Sequence, residues 1–468
     1  MNRRDLIHTA GCMSVLAAAS PMTVSGEESN SKVSRPRVSG ERLLEMQKNI
    51  PVIEDTDVAV VGGGIAGVAA ALAAARLGAR TSLIEKETAL GGLATLGNVI
   101  VYLPLCDGMG RQVIGGIGEE LLRLSVRDGF RKIPSCWEKG GDPEQRKKTR
   151  FRVDFNPASF MLDMEELLLK SNVRIWYDTR FCDVVREGGR VSALLLENKS
   201  GRVAMKCRTV VDASGDADVC TRAGEPTESL RTNVECGWFY HLESGVETKE
   251  GEDSGEDVGN EETPKSSKKG AMRLIVNAMS KPFPEDPRKI PSGIRGYAGD
   301  DGRDTTEFIL ATHEMIRKKI SDLRAKTKGK SEIYPAILPL VPSFRMTCRL
   351  AGDVEIQYKD DHRYCDDAVG MTGNWRKNGP VYFIPYKSLT GVMNSNLVTA
   401  GRCISSAGAA WDVTRVIPTC AVTGEAAGTA AAIACSQTEG NLKDVNIQNL
   451  QAQLLKQGVM IDRPMGSK

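Results

Sequence analysis

Residues 57–86, DVAVVGGGIAGVAAALAAARLGARTSLIEK, run without interruption through strand, glycine turn, helix and second strand. That order restricts the chain to an α/β fold built around a bound adenine dinucleotide. Val58 to Val61 is an apolar run without alternation, the pattern of a strand buried on both faces. Gly62, Gly64 and Gly67 then fill a G-x-G-x-x-G turn. The first glycine permits the tight bend, the second lets the backbone approach a pyrophosphate, and the third lets the helix pack closely on the strand. The helix, expected over Val68 to Leu77, directs its N-terminal N–H groups at the anion. Thr81 to Ile84 reads as the second strand and ends at Glu85, eighteen residues after Gly67. A carboxylate there can accept from ribose hydroxyls and would repel the additional phosphate of NADP.

Such a unit serves NAD and FAD alike, and the residues after it separate the two. Lys86 leads to Leu90, Gly91, Gly92, Leu93, Ala94 and Thr95. A second glycine pair lets the backbone lie along an extended ligand such as the pyrophosphate and ribitol of FAD. On VGGGIAG, IEKETALGGLAT and two later segments, the chain resembles the FAD-dependent oxidoreductases of the glutathione-reductase and fumarate-reductase type. In VVDASGDADVCTRAG, residues 210–224, a strand runs into Ser214, Gly215 and Asp216. This is similar to the family motif that passes beneath the adenosine half of the cofactor. In residues 396–434 a strand from Leu397 to Ala400 meets Gly401 and Arg402, and a helix opens near Pro418 and Thr419 and continues through small residues to Ala434. Proline suits a first helical turn. A helix start facing the flavin pyrimidine would stabilise negative charge there on reduction.

Together with VYFIPYKSL at 381–389, these segments are similar to the bacterial FAD-dependent oxidoreductases grouped with heterodisulfide reductase, over residues 57 to about 434. Iron–sulfur clusters need closely spaced cysteines, but none of the twelve cysteines forms a C-x-x-C. Neither a cluster nor any other metal site is expected. The resemblance implies FAD as cofactor, held by Gly62, Gly64, Gly67, Glu85, Lys86, Gly91, Gly92, Thr95, Phe181, Ser214, Gly215, Asp216, Gly401, Arg402 and Thr419. Phe181 would hold adenine through its backbone.

The fold expected is α/β: a discontinuous Rossmann-like FAD-binding domain with a three-layer parallel sheet and a small β-meander, plus an inserted α+β cap. The ranges are 56–224 and 390–440 for the FAD domain and 225–389 for the cap, with a disordered polar loop at 243–269 and a tail at 441–468. Helix is expected over Phe160 to Leu169. The meander strands fall at Val173 to Trp176, Phe181 to Val185, Val191 to Leu196, Val203 to Met205 and Thr209 to Val211, with a hairpin turn at Gly188 and Gly189.

At the N-terminus, Asn2 to Ile7 (NRRDLI) resembles a twin-arginine motif and precedes a short apolar stretch from Thr9 to Ser20. A signal over 1–24, a linker over 25–55 and export of the folded protein by the twin-arginine machinery are expected. Twelve residues are too few for a permanent membrane span. With 62 basic and 60 acidic residues the formal net charge is +2, which gives no electrostatic footprint for nucleic acid.

For chemistry, the resemblance implies a small-molecule substrate exchanging a hydride with flavin N5, and a separate electron acceptor. Arg415 is the leading residue for contacting substrate or flavin. Arg345 and Arg349, four apart in SFRMTCRLAGD, would share a helix face and either clamp a carboxylate or salt-bridge the cap to the FAD domain. Tyr382, Tyr386 and Asp412 flank the third motif, and His241, His313 and His362 have no assigned place. The alternatives to an enzyme are an electron-transfer component of a larger redox complex and a non-enzymatic flavin-binding protein.

Overall fold

The computed structural model describes residues 49–129, 131–244 and 272–461, with a short antiparallel pairing of Val38–Ser39 and Arg42–Leu43. The expected signal, most of the linker and nearly all of the polar loop lie outside the described residues. Contacts divide the chain into Met1–Asn49 and Ile50–Lys468, and everything below concerns the second unit.

Its centre is a seven-stranded sheet. Strand β1 (Val52–Val61) leads into helix α1 (Ile65–Arg76) and strand β2 (Thr81–Ile84), as the opening motif requires. After α2 (Gly116–Ser125) and α3 (Pro157–Lys170) come β3 (Arg174–Trp176), β4 (Arg180–Glu187), β5 (Arg190–Asn198) and β6 (Gly201–Asp212). The order across the sheet is β3-β2-β1-β6-β5-β4. The pairings β3-β2-β1-β6 are parallel and β6-β5-β4 antiparallel. The sheet is therefore mixed rather than parallel, and the meander is an extension of it rather than a separate layer.

Strand β6 makes this possible. Two short strands were expected where one of 12 residues runs, because Lys206 and Arg208 are exposed and interrupt the apolar pattern. Its first half pairs with β5, and its last three residues pair in parallel with Leu397–Thr399, named β13 below. Along its other edge it pairs with nearly all of β1, which draws residues 52–55 of the expected linker into the sheet. Gly188 and Gly189, at φ 57° and 74°, form the expected β4–β5 turn.

The apolar run of β1 is buried on both faces. Val58 and Val60 join a core with the helices, while Ala59 and Val61 join Leu194, Leu196, Met205 and Val219 on the opposite face. The helical face is closed by α7 (Ile417–Gln437), which lies against α1. Small residues set that approach. A Cβ on Gly424 or Gly428 would overlap the carbonyl oxygens of Ala66 and Ala70, so the two helices pack backbone to backbone.

The cap is narrower than expected. Its core is a three-stranded antiparallel sheet of β7 (Cys236–Ser244), β8 (Arg273–Ser280) and β9 (Glu332–Ile337), covered by the 26-residue helix α5 (Gly302–Thr327). Phe239, Ile316, Ile320 and Ile333 cluster between them. The helix labelled α4, Asp218–Arg222, precedes the cap. Strands β11 (Ala368–Gly373) and β12 (Val381–Pro385), expected within the cap, belong to the main core. Every residue of β11 is buried, and Gly370 meets Val422 of α7. The short strand β10 (Cys348–Leu350) carries Arg349, and Arg345 lies in the loop before it. The shared helix face expected for these arginines does not exist. Within the expected tail, α8 (Ile447–Lys456) buries Leu450 and Leu454 against the main core.

Among the described residues no single helix is long and apolar enough to cross a membrane. The bent pair of α6 (Gly408–Thr414) and α7 passes that test together, but Pro418 to Cys435 are all buried inside the protein.

Candidate cofactor cleft and active site

The carboxyl ends of β1, β2 and β6 open into one cleft of about 1230 Å³, counted out to bulk solvent. The three motif glycines have three different duties there. Gly62, at φ 100°, leaves no space for a Cβ beside the backbone of Ala213. A Cβ on Gly64 would meet nothing within 4 Å, so the N-cap of α1 faces open space. Gly67 is outside the cleft lining, and a Cβ there would overlap the Gly62 carbonyl.

The second glycine pair docks on the first. Gly91 N donates to Gly63 O at 2.8 Å, Gly91 and Gly92 have φ of 99° and 54°, and both line the cleft. Thr95 does not line it. Its hydroxyl donates to the Leu90 carbonyl and braces the turn from behind. Glu85 is 6% exposed; Oε2 accepts from Gly63 N at 2.6 Å and Oε1 from Glu87 N at 2.8 Å. Burial raises its carboxyl pKa, partly offset by these two bonds. Each oxygen keeps a lone pair for a further donor. Lys86 is exposed at the cleft edge, and Phe181 lines the same end with Thr179 and Arg180.

The turn after β6 brings in Ser214, Gly215 and Asp216. It is held by Asp212, overlooked as a site residue although it stands inside VVDASGD. Its buried carboxylate accepts from Ser214 N, Ser214 Oγ and Cys220 N at 3.1, 2.6 and 2.9 Å. Asp218, also overlooked, lines the cleft at a solvent-exposed position, and the surrounding protein together with the charges of Asp216 and Asp212 raises its carboxyl above the ordinary range. This end of the cleft is acidic.

The other end is basic and apolar. Gly401 and Arg402 follow β13, and Arg402 ties three segments together. It donates Nε to Gly215 O at 3.2 Å, Nη1 to Phe344 O at 2.9 Å and Nη2 to Asp216 Oδ1 at 2.7 Å. Arg415, Ile417 and Cys420, at the α6–α7 junction, line the cleft with Leu93 and the cap residues Val341, Pro342 and Phe344. The cap residues carried no sequence signal, since only tertiary folding brings them here. Burial pushes the Cys420 thiol up to about 12, so it stays neutral. Thr419 points elsewhere: its hydroxyl pairs with Thr372 Oγ1 at 2.7 Å inside the core. Arg349 is also outside the cleft, 2% exposed and bound to Glu228 and Glu355. Both partners lie, like Arg349, in the range 225–389 expected as the cap, so neither the carboxylate clamp nor the bridge from cap to FAD domain is what these ion pairs make. Tyr382 and Tyr386 spend their hydroxyls on Tyr358 O and Leu442 O. None of His241, His313 and His362 lines the cleft, and among the described residues no three His, Cys, Asp or Glu side chains gather as a metal site.

The family model described as FAD dependent oxidoreductase matches residues 57–454. The chain belongs to that family. It is an FAD-dependent oxidoreductase, and FAD is its cofactor. The residues present fit FAD: the N-cap of α1 at Gly64 is open, Glu85 has acceptor capacity left over, and two glycine turns form one continuous floor. Among curated proteins, a tRNA uridine 5-carboxymethylaminomethyl modification enzyme of Aquifex aeolicus is 30% identical over 134 residues, 26% of this chain and 21% of the relative. Digeranylgeranylglycerophospholipid reductase of Thermoplasma volcanium is 26% identical over 165 residues, 35% of this chain and 40% of the relative. The matches thus span less than half of either relative. Among solved structures, a geranylgeranyl bacteriochlorophyll reductase-like protein of Thermoplasma acidophilum aligns with a TM-score of 0.41 at 16% identity, over 87% of this chain and 84% of that one.

Proposed function

We propose that this FAD-dependent oxidoreductase is an exported enzyme in which a small organic substrate, covered by the cap, exchanges a hydride with N5 of the cofactor. The observation that carries the reading is the wall the cap gives the cleft, through Val341, Pro342 and Phe344 opposite Arg415 and Ile417. Bound FAD would supply a two-electron acceptor or donor. With substrate bound, the apolar residues Val341, Pro342 and Phe344 would displace water from the reacting end, which would strengthen the charge interactions there. Arg415 is fixed by Asp412, so its charge is already in place when negative charge develops nearby. The first turn of α7 offers free N–H groups and the positive end of a 21-residue helix at the same end of the cleft. Phe344 is held over the cleft by Arg402, which couples the cap's position to the FAD turns.

The test is an anaerobic screen of FAD-loaded protein against small organic metabolites. Bleaching of the flavin absorbance by one of them is the expected result. Bleaching by a redox protein alone, and by no small molecule, would replace this reading with an electron-transfer role in a complex similar to heterodisulfide reductase. Export belongs to the same proposal and is supported by NRRDLI at residues 2–7. Arg3→Lys combined with Arg4→Lys should hold the protein inside the cell, and normal export of that variant would remove the twin-arginine route.

A further inference from the structure

β9 is an edge strand of the cap sheet, and its sequence does not suit contact with water. The order across the sheet is β8-β7-β9, and no strand among the described residues pairs with the other side of β9. Edge strands are commonly blunted with charge or proline. Residues 334–340, YPAILPL, have the prolines and no charge. Pro335 and Pro339 make the segment a poor template for a further strand, yet its apolar side chains stay open: Tyr334, Ile337, Leu338 and Leu340 are 49%, 43%, 40% and 71% exposed. The exposure continues across one face of the sheet. Phe239 and Ile333 pack on α5, so their neighbours along each strand point to the opposite face. On that face Tyr334, Leu242 and Leu274 lie abreast, and Ile337, Tyr240 and Val276 form the next row.

The flank of this edge is basic. Between Glu314 and Glu332, lysine and arginine outnumber acids by seven to three. The acids are occupied: Glu314 pairs with Arg317, Asp322 pairs with Lys318, and Glu332 accepts from the Tyr334 hydroxyl at 2.8 Å. Lys326, Lys328 and Lys330, where α5 gives way to β9, are exposed and have no ion pair among the described residues. Between α5 and β9 runs a groove lined by Ile316, Ile320, Pro335 and Leu338 together with Arg317 and Arg324. Arg324 gives Nε to the Ile333 carbonyl at 2.8 Å, and no described acid neutralises it. Exposed apolar side chains and unneutralised cations thus meet along one edge of the cap.

We propose that this edge is a docking surface for an anionic phospholipid bilayer, with residues 334–340 entering the headgroup layer while Arg324, Lys326, Lys328 and Lys330 meet the lipid phosphates. A bilayer is apolar beneath an anionic surface, and that is the complement of this patch. An acidic protein would match the cations and leave Leu338 and Leu340 in water. The docked edge stands beside the cofactor cleft: Leu340 N donates to Leu96 O at 2.8 Å, and the chain runs on into Val341 and Pro342 of the cleft wall. The proposal holds whatever reacts in the cleft.

Vesicles of phosphatidylcholine alone, and of phosphatidylcholine with an equal part of phosphatidylglycerol, are the probes, and sedimentation of the FAD-loaded protein with them is the measurement. Binding to the anionic vesicles, roughly tenfold or more stronger than to phosphatidylcholine and weakened by salt, is expected. Lys326→Gln, Lys328→Gln and Lys330→Gln combined should weaken it on the order of 100-fold at low salt. Leu338→Ser with Leu340→Ser should weaken it roughly tenfold or more at low and high salt alike. All five positions are exposed, so FAD content and thermal midpoint should stay at wild-type values. If the leucine variant fails to fold, Tyr334→Ser with Ile337→Ser should show the same loss. No binding to either vesicle, equal binding to both, or wild-type binding by the lysine variant overturns the proposal. Wild-type binding by the folded apolar variants overturns it too, since the contact is then electrostatic alone. Capture of polyglutamate without any vesicle binding would reassign the surface to an acidic protein and likewise overturn it.

Discussion

Replacing Glu425 by Gln is expected to make the protein lose less stability between pH 5 and pH 9. Glu425 lies within α7, on the side facing α2, and is 0% exposed. Its Oε2 accepts from Ile117 N at 2.8 Å, and its Oε1 is buried without a partner. Burial, with a smaller contribution from Glu120, pushes its pKa from the ordinary 4.5 up to about 8, against the Ile117 bond and Arg76. The folded pKa is raised, so the unfolded chain releases this proton above about 4.5 while the folded protein keeps it until about 8. Stability therefore falls across that window and levels off above it. At about 1.4 kcal/mol per pH unit the total is on the order of 3–5 kcal/mol. Gln keeps an acceptor for Ile117 and never ionises. Unfolding midpoints of the two FAD-loaded proteins should be close at pH 5 and differ most at pH 9, with the variant higher. Parallel pH profiles would show that Glu425 is ionised or solvated in the native protein.

The second large effect is expected at Glu85. Glu85→Ala removes the acceptor for Gly63 N and Glu87 N and the carboxylate we propose as acceptor for the ribose of FAD. Loss of a charged acceptor costs about 1–3 kcal/mol, which is roughly a 5- to 150-fold rise in the Kd of FAD. Glu85→Gln keeps part of the acceptor set and should fall between. Dialysis against high salt followed by flavin absorbance measures this directly. Unchanged FAD retention in Glu85→Ala would mean that the nucleotide lies in another register along the cleft.

These two glutamates also show what a sequence displays and what it withholds. Glu85 was legible because strand, glycine turn, helix and second strand are local, and their spacing alone places a carboxylate at the strand end. The same holds for Pro418 in the first turn of α7 and for the Gly188–Gly189 turn. Glu425 was not legible: an acid in an alanine-rich helix looks like a solvent-facing position until α2 is packed over it. The sequence of β6 reads as two strands because Lys206 and Arg208 face solvent, while its two ends pair with different partners. The four-residue spacing of Arg345 and Arg349 suits a helix face, but the chain there is a loop entering a short strand. Thr95, Gly67 and Thr419 sit in the right motifs, yet they brace the cleft from behind. Motifs locate a site to within a turn, and packing decides which atoms face the ligand.

The most direct test of the account is the identity and amount of the nucleotide held in the cleft between Gly62, Gly91 and Arg402. Protein purified in its folded form and then heat-denatured should release one FAD per chain, and apoprotein should recover the flavin spectrum on adding FAD. A colourless protein that binds NADH and cannot be reconstituted with FAD would contradict the account at its foundation.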